Sequence, residues 1–156
     1  MSTSSVTPSP AALTKGGFFP LIVAAVDHDT KDSIVVSFTV PEHLAEAYKF
    51  VQGQFVTIKV HIGGEELRRS YSICSAVQDN RLRIAIKRAH GGRVSSWLVE
   101  NLKPGDMIEV MPPDGLFHVP LSGAHKKQYL AFAAGSGITP IFSIIKTTLI
   151  TEPGGA

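Results

Sequence analysis

With 156 residues, 44% of them hydrophobic and 18% charged, the chain carries enough apolar side chain for one sizeable core and too much for a disordered polypeptide. A formal charge of +2, with basic residues dispersed apart from short pairs such as Arg68-Arg69 and Lys126-Lys127, leaves no electrostatic footprint for nucleic acid. No apolar run has membrane-spanning length and the start lacks the order of a secretory signal, so the expected location is cytoplasmic, with no membrane partner. The single cysteine, Cys74, excludes an internal disulfide and a four-cysteine iron–sulfur cluster within these residues, and six scattered histidines show no metal-ligand spacing.

In chain order, residues 1–17 are rich in Ser, Thr, Pro, Ala and Gly and cannot repay the cost of ordering, which predicts a flexible tail. Two β-branched and aromatic runs, 18–26 and 33–40, flank a turn-forming cluster at 27–32 and predict antiparallel strands. Pro41 followed by helix formers predicts a short helix or helical turn over 41–48. A strand over 55–62, a Gly63-Gly64 hairpin turn and a further strand ending in the hydroxyl-rich 72–75 come next. Residues 81–88 (RLRIAIKR) alternate polar and apolar, as a half-buried strand does. Leucines at 98 and 102 mark a helix over 95–102, stopped by Pro104-Gly105, and a short strand is expected over 106–111 before a rigid turn at 112–115. From Gln128 the pattern changes. The continuous apolar run 129–134 predicts a parallel strand covered on both faces, the glycine-rich 135–140 a bend, and 141–150 a buried helix.

The chemistry concentrates in Leu67-Arg68-Arg69-Ser70-Tyr71-Ser72-Ile73. Alternation in an extended chain sends Arg69 and Tyr71 to one face and Ser70 and Ser72 to the other. A guanidinium matches a phosphate or pyrophosphate through paired charge-assisted hydrogen bonds, and a phenol two residues on offers an aromatic surface and a hydroxyl to a flat ring. Such a strand suits a ring joined to phosphates. Arg69-Ser70-Tyr71-Ser72 resembles the R-x-Y-S signature of the ferredoxin-NADP reductase superfamily. Three later segments stand in the order that family shows: 87–96 (KRAHGGRVSS), 112–117 (PPDGLF) and 134–140 (AGSGITP). Within the superfamily, the stretch 85–153 is most similar to reductases of the phenylacetyl-CoA ring-epoxidising type. Relatives often carry a proline before Gly53, where this chain has Gln52.

The resemblance implies FAD held outside an antiparallel barrel, with Arg69 on the pyrophosphate, Tyr71 beside the isoalloxazine ring and Ser72 near flavin N5; Tyr71 and Ser72 are the candidate catalytic residues. Arg68 and Ser70 are expected to point elsewhere, although Ser70 belongs to the signature strand and stays among the candidate binding residues. Gly91 and Gly92, followed by Arg93, Val94, Ser95 and Ser96, precede a helix whose free N–H groups attract an anion. Ser95 can serve there as a phosphate donor, as a helix cap, or both. The strand end Ile86-Lys87-Arg88 is placed in relatives so that its backbone meets the flavin's pyrimidine edge. Gly135, Gly137 and Thr139 are carried over as candidate NAD(P)H contacts; without a third glycine their loop is a weak fingerprint by itself.

The fold expected is mainly β: a six-stranded antiparallel Greek-key FAD-binding barrel over 18–122 with one capping helix, followed by an incomplete α/β start of an NAD(P)-binding domain over 123–156. One strand and one helix make no sheet, so the chain reads as a fragment of a longer reductase. The function implied is transfer of electrons from NAD(P)H through FAD to an iron–sulfur centre outside this chain and an oxygenase or ferredoxin-type acceptor. A fragment of this kind is expected to hold FAD with little or no turnover. The competing reading is a non-catalytic barrel that docks a protein or another ligand. Left uncovered, the 129–150 segment is expected to self-associate.

Overall fold

The computed structural model describes residues 17–155, so the expected tail, Gly17 apart, lies outside the described residues. Six strands are present: β1 (Phe19–Thr30), β2 (Ser33–Thr39), β3 (Phe55–Ile62), β4 (Glu65–Ser72), β5 (Leu82–Lys87) and β6 (Met107–Val110). They form one sheet in the order β4-β3-β6-β1-β2-β5, every pairing antiparallel. The return of β6 to lie between β1 and β3 makes the connection a Greek key. The two edges then approach one another. Ile73, just beyond β4, bridges to Ile84 of β5, and the Cys74 N–H donates to the Arg83 carbonyl at 2.9 Å, so the sheet curls into a barrel closed at that end.

Strict alternation builds the interior. Leu21 and Val23 of β1, Ile34, Val36 and Phe38 of β2, Val56, Ile58 and Val60 of β3, Leu82, Ile84 and Ile86 of β5, and Ile108 and Val110 of β6 are all buried in one cluster. Helix α1 (Arg93–Asn101) plugs the barrel with Val94 and Leu98, and Leu102 follows on the same face. Each fully buried aliphatic side chain of this kind stabilises the fold by roughly 1.5–3 kcal/mol relative to exposure.

Three expectations are corrected and one is narrowed. The turn expected over 27–32 is tighter: β1 runs to Thr30, which pairs with Ser33, leaving only Lys31-Asp32 as the bend. Of the short helix or helical turn expected over 41–48, the turn is present: a 3₁₀ turn, Glu42–Leu44, followed by one α-like bond from the Tyr48 N–H to the Leu44 carbonyl at 3.2 Å. Only Leu44 and Tyr48 are fully buried there, with Ala47 partly buried against the core, too few to sustain a nucleus. The apolar stretch 129–134 forms no strand, and Leu130 and Phe132 are each 83% exposed, because no described strand lies alongside to complete a ladder. Helix α2 (Ile138–Thr151) begins three residues earlier than expected, and the face it buries is mostly polar, with Ser143, Thr147 and Thr148 beside Ile141.

That polar face anchors α2 to the barrel. Ser143 donates to the Ser75 carbonyl at 2.7 Å, Thr147 accepts from the Val77 N–H at 3.2 Å, and Thr151 accepts from the Gln78 side chain at 2.8 Å. Spaced four residues apart, these three side chains lie on one helical stripe. Lys146 adds an ion pair to Asp79 at 2.7 Å. Gln52, where relatives often have proline, is buried and donates to the Val119 carbonyl at 2.8 Å, a bond proline cannot make. Beside it Gly53, at φ +88°, lies so close to the Phe117 carbonyl that a Cβ would overlap it.

Candidate active site: a groove at the barrel seam

The barrel is not closed along its whole length. Beyond the Ile73 to Ile84 bridge, β4 and β5 diverge, and a groove of about 520 Å³ opens between them. One wall is Ser70, Tyr71 and Ser72 of β4; another is Ala85, Ile86 and Lys87 of β5; Gly135, Ser136, Ile138 and Thr139 at the start of α2 form a third. The β1–β2 hairpin contributes Asp29, Thr30 and Ser33. Ser70, Tyr71, Ser72, Ile86, Lys87, Gly135 and Thr139, widely separated in sequence, thus line one space.

Tyr71 is half-buried against the core cluster and pairs in register with Val56 of β3. Burial pushes its phenol above the usual tyrosine value, while the neighbouring Arg69 cation pulls the other way by a smaller amount. The phenol therefore stays protonated at neutral pH and is a hydrogen-bond donor. Arg69, paired in register with Ile58, lies on the same side of β4 as Leu67 and Tyr71. It is exposed, and one guanidinium nitrogen donates to the Arg68 carbonyl at 2.6 Å. Its charge is uncommitted: Arg68, Arg83, Arg88 and Arg93 each reach a carboxylate, whereas among the described residues Arg69 reaches none. Ser70 faces away from the core and shares a 2.9 Å hydrogen bond with Thr57.

The glycine-led helix start stands at the other end of β4. Arg93, the first residue of α1, binds Glu65 at 2.7 Å, so Arg69 lies along the strand between the α1 contact and the groove. Gly92, not Ser95, is the N-cap, and no side chain caps the helix, which leaves the first-turn N–H groups of Arg93, Val94 and Ser95 available. The Ser95 hydroxyl is occupied: it accepts from the Ala89 N–H at 3.0 Å and lies 3.4 Å from the Gly92 carbonyl, fixing the loop that precedes the helix. Ser96 donates its N–H to Gly92. Gly91 holds φ +68° with open space where a Cβ would be, so the backbone is exposed to an approaching anion. A Cβ on Gly92 would meet Ser95 and Ala89, which makes that glycine a packing requirement of the loop. Arg88 is turned to Glu100 and its N–H donates to the Asp32 carbonyl at 2.7 Å. Gly137 sits within the 3₁₀ turn Gly135–Gly137, where the Thr139 hydroxyl donates to the Ser136 carbonyl at 2.9 Å.

Strand β2 and the β1–β2 hairpin were missed as groove walls. Their presence follows from the β2–β5 pairing, which sets Ile34 opposite Ile86 and Ser33 opposite Lys87, and no local motif announces that register.

A family model described as the oxidoreductase FAD-binding domain matches residues 20–119. The chain belongs to that family. It is 46% identical over 136 residues to a subunit of the 1,2-phenylacetyl-CoA epoxidase of Escherichia coli K12, an alignment covering 87% of this chain and 38% of the relative. It is 38% identical over 137 residues to the ferredoxin reductase component of a 3-ketosteroid-9-alpha-monooxygenase of Rhodococcus rhodochrous, covering 86% and 38%. Among solved structures, phthalate dioxygenase reductase aligns with a TM-score of 0.66 at 32% identity over 86% of this chain and 40% of that one. The chain therefore spans about two-fifths of the length of these relatives. The fold is that of the ferredoxin reductase-like FAD-binding barrel, and the reading as a bare docking barrel is not favoured. Among the described residues, no helix is long and apolar enough to cross a membrane.

Proposed function

We propose that the groove and the adjoining α1 start hold FAD, and that the chain is the flavin-binding part of an NAD(P)H-dependent reductase serving an oxygenase of the phenylacetyl-CoA epoxidase type. The observation that carries this reading is the convergence on one groove of Ser70, Tyr71 and Ser72, the 85–87 strand end and the Gly135 to Thr139 bend, with Arg69 next along the same strand outside the groove lining. The donor set suits the cofactor. Arg69 offers an unpaired guanidinium to the pyrophosphate, Gly91 and the free N–H groups opening α1 offer neutral donors to the same anion, and Tyr71 offers a ring face and a protonated hydroxyl.

FAD, when bound, supplies the acceptance of an electron pair with a proton from NAD(P)H and its release one electron at a time. The protein's part is placement. Tyr71 and Ser72 orient the ring, Ile86 and Lys87 bound one edge, and Gly135, Gly137 and Thr139 leave space on the facing side for a nicotinamide. No side chain needs to act as a base for hydride transfer, so alignment of the two rings carries the rate. The electrons pass to an iron–sulfur centre and an oxygenase or ferredoxin-type acceptor.

Titration of the chain with FAD, followed by flavin absorbance and fluorescence quenching, tests the reading. Saturable binding is expected, and Arg69→Gln weakens it about tenfold or more through loss of a charge-assisted contact to phosphate. Tyr71→Ala shifts the visible flavin spectrum by removing the adjacent ring. A chain that leaves FAD unquenched, or an Arg69→Gln variant with undiminished affinity, overturns the assignment.

A further inference from the structure

A second cavity, of about 670 Å³, lies at the opposite end of the β2–β5 ladder from the groove. Phe38 and Leu82, paired in register, form its floor, whereas Ile34 and Ile86 four residues along the same strands line or adjoin the groove. The nearest lining residues on each strand, Val35 and Phe38 on β2 and Ala85 and Leu82 on β5, leave roughly 10 Å of strand between the two spaces. Phe50, Val40 and the ring of Tyr48 complete an apolar wall. The Tyr48 hydroxyl is turned away into the core, donating to the Val110 carbonyl at 2.6 Å, and burial pushes its pKa far up, so this tyrosine presents only carbon to the cavity.

Both charged side chains lining the cavity are cations, of which Lys49 is already paired with Glu46 and, among the described residues, Arg81 is not paired. Arg81 and Lys49 line the cavity and no carboxylate does. The acids nearby are engaged: Glu46 pairs with Lys49 at 2.6 Å, and Asp79 pairs with Lys146 at 2.7 Å while accepting the Ala76 N–H. Among the described residues Arg81 has no carboxylate partner. Its backbone is fixed from both sides, by Asn80 in the left-handed region at φ 49° and by the Ser75 hydroxyl on the Arg81 carbonyl at 2.5 Å, so the base of the side chain is held at the rim. An apolar cleft of this size with an exposed, uncommitted guanidinium carried at its mouth on a held backbone has the chemistry of a site for an amphipathic anion.

We propose that this cavity binds a small carboxylate with an aromatic body, its ring against Phe38 and Phe50 and its carboxylate on Arg81. The site is distinct from the flavin groove, shares no lining residue with it, and does not depend on FAD binding there.

The probe is 2-naphthoate, titrated into the 156-residue chain and followed by calorimetry and backbone amide shifts. Saturable binding with a Kd on the order of 0.1–1 mM is expected for so small a ligand. The largest amide shifts should fall at 38–40, 49–50 and 80–82. Arg81→Gln, at an exposed position, should weaken binding about tenfold, and naphthalene-2-carboxamide should bind no better than that variant binds naphthoate. Saturating FAD should leave the naphthoate affinity unchanged. Absence of saturation by about 10 mM, equal affinity for the carboxamide, or shifts centred on the groove or on the exposed face of α2 would each overturn the proposal. Failure of FAD to bind leaves all of these readouts intact, so the two assignments fail separately.

Discussion

The barrel and the segment from 121 to 155 have similar apolar content and opposite burial. In the barrel every inward position of β1, β2, β3, β5 and β6 is covered, since six strands and α1 supply one another with partners. In the later segment the polar side chains of α2 face the protein, while Phe142, Ile145, Leu149 and Ile150 face solvent, as do Leu130 and Phe132. Hydrophobicity alone did not decide which residues were buried. What decided was whether a second layer existed to receive them. The segment is held instead by polar ties, among them Glu152, whose buried carboxylate accepts from the Ser122 N–H at 3.0 Å, the Tyr129 hydroxyl at 2.7 Å and the His125 ring nitrogen at 2.7 Å.

The contrast is broken most sharply at Leu98. Leu98→Ala leaves a void at the plug of the barrel and should cost about 2–5 kcal/mol, read as a fall in the denaturant midpoint; a loss under about 1 kcal/mol would mean the barrel is loosely packed. Next in size is Ser143→Ala, which strips the Ser75 carbonyl of its buried partner. We expect a loss of about 1–2 kcal/mol in the protection of α2 amides against hydrogen exchange, with the β2 and β5 amides unaffected. Equal loss in both regions would show that the two unfold as one.

A smaller and local effect is expected from pH. Burial alone would raise the Glu152 carboxyl, but the hydrogen bonds from Ser122, Tyr129 and His125 outweigh it and hold the pKa below its ordinary 4.5. A depressed folded value means that the ties are at full strength above 4.5 and are lost as pH falls through the lower folded value. The Ser122 amide shift should stay constant down to that ordinary value and move only below it; a midpoint above it would reverse the sign. Smallest of all is Leu149→Ser, on the exposed face of α2. Its effect on stability should lie within about 0.5 kcal/mol. The same change tests the expectation from the sequence that the 129–150 segment self-associates: light scattering should show less concentration-dependent association than for the unsubstituted chain.

The barrel strands were legible because their alternation is strong: 55–62 and 82–87 each present one uniformly apolar face, and that face is the core. The hairpin at Gly63-Gly64 was legible because both residues take positive φ, 62° and 80°, which favours glycine. Residues 129–134 misled for the same reason that they are apolar. A run of that kind signals a buried strand only when neighbours exist, and here none among the described residues pairs with it. In the site, Tyr71 and Arg69 could be placed on one face of a strand by parity. The engagement of Ser95 with Ala89 and Gly92, and the N-cap role of Gly92, depend on how the loop folds back on itself.

By itself the sequence determined the strands, the helix that plugs them, and the motifs from which the family could be read, because periodicity, glycine turns and paired chemical groups are properties of neighbouring residues. Only the tertiary structure decided that β4 and β5 part to open a groove, that β2 forms its wall, that α2 docks by its polar stripe, and that Arg81 stands unpaired over an apolar cavity. Those outcomes depend on strand register and on which faces find partners, and both are set by contacts between residues dozens of positions apart.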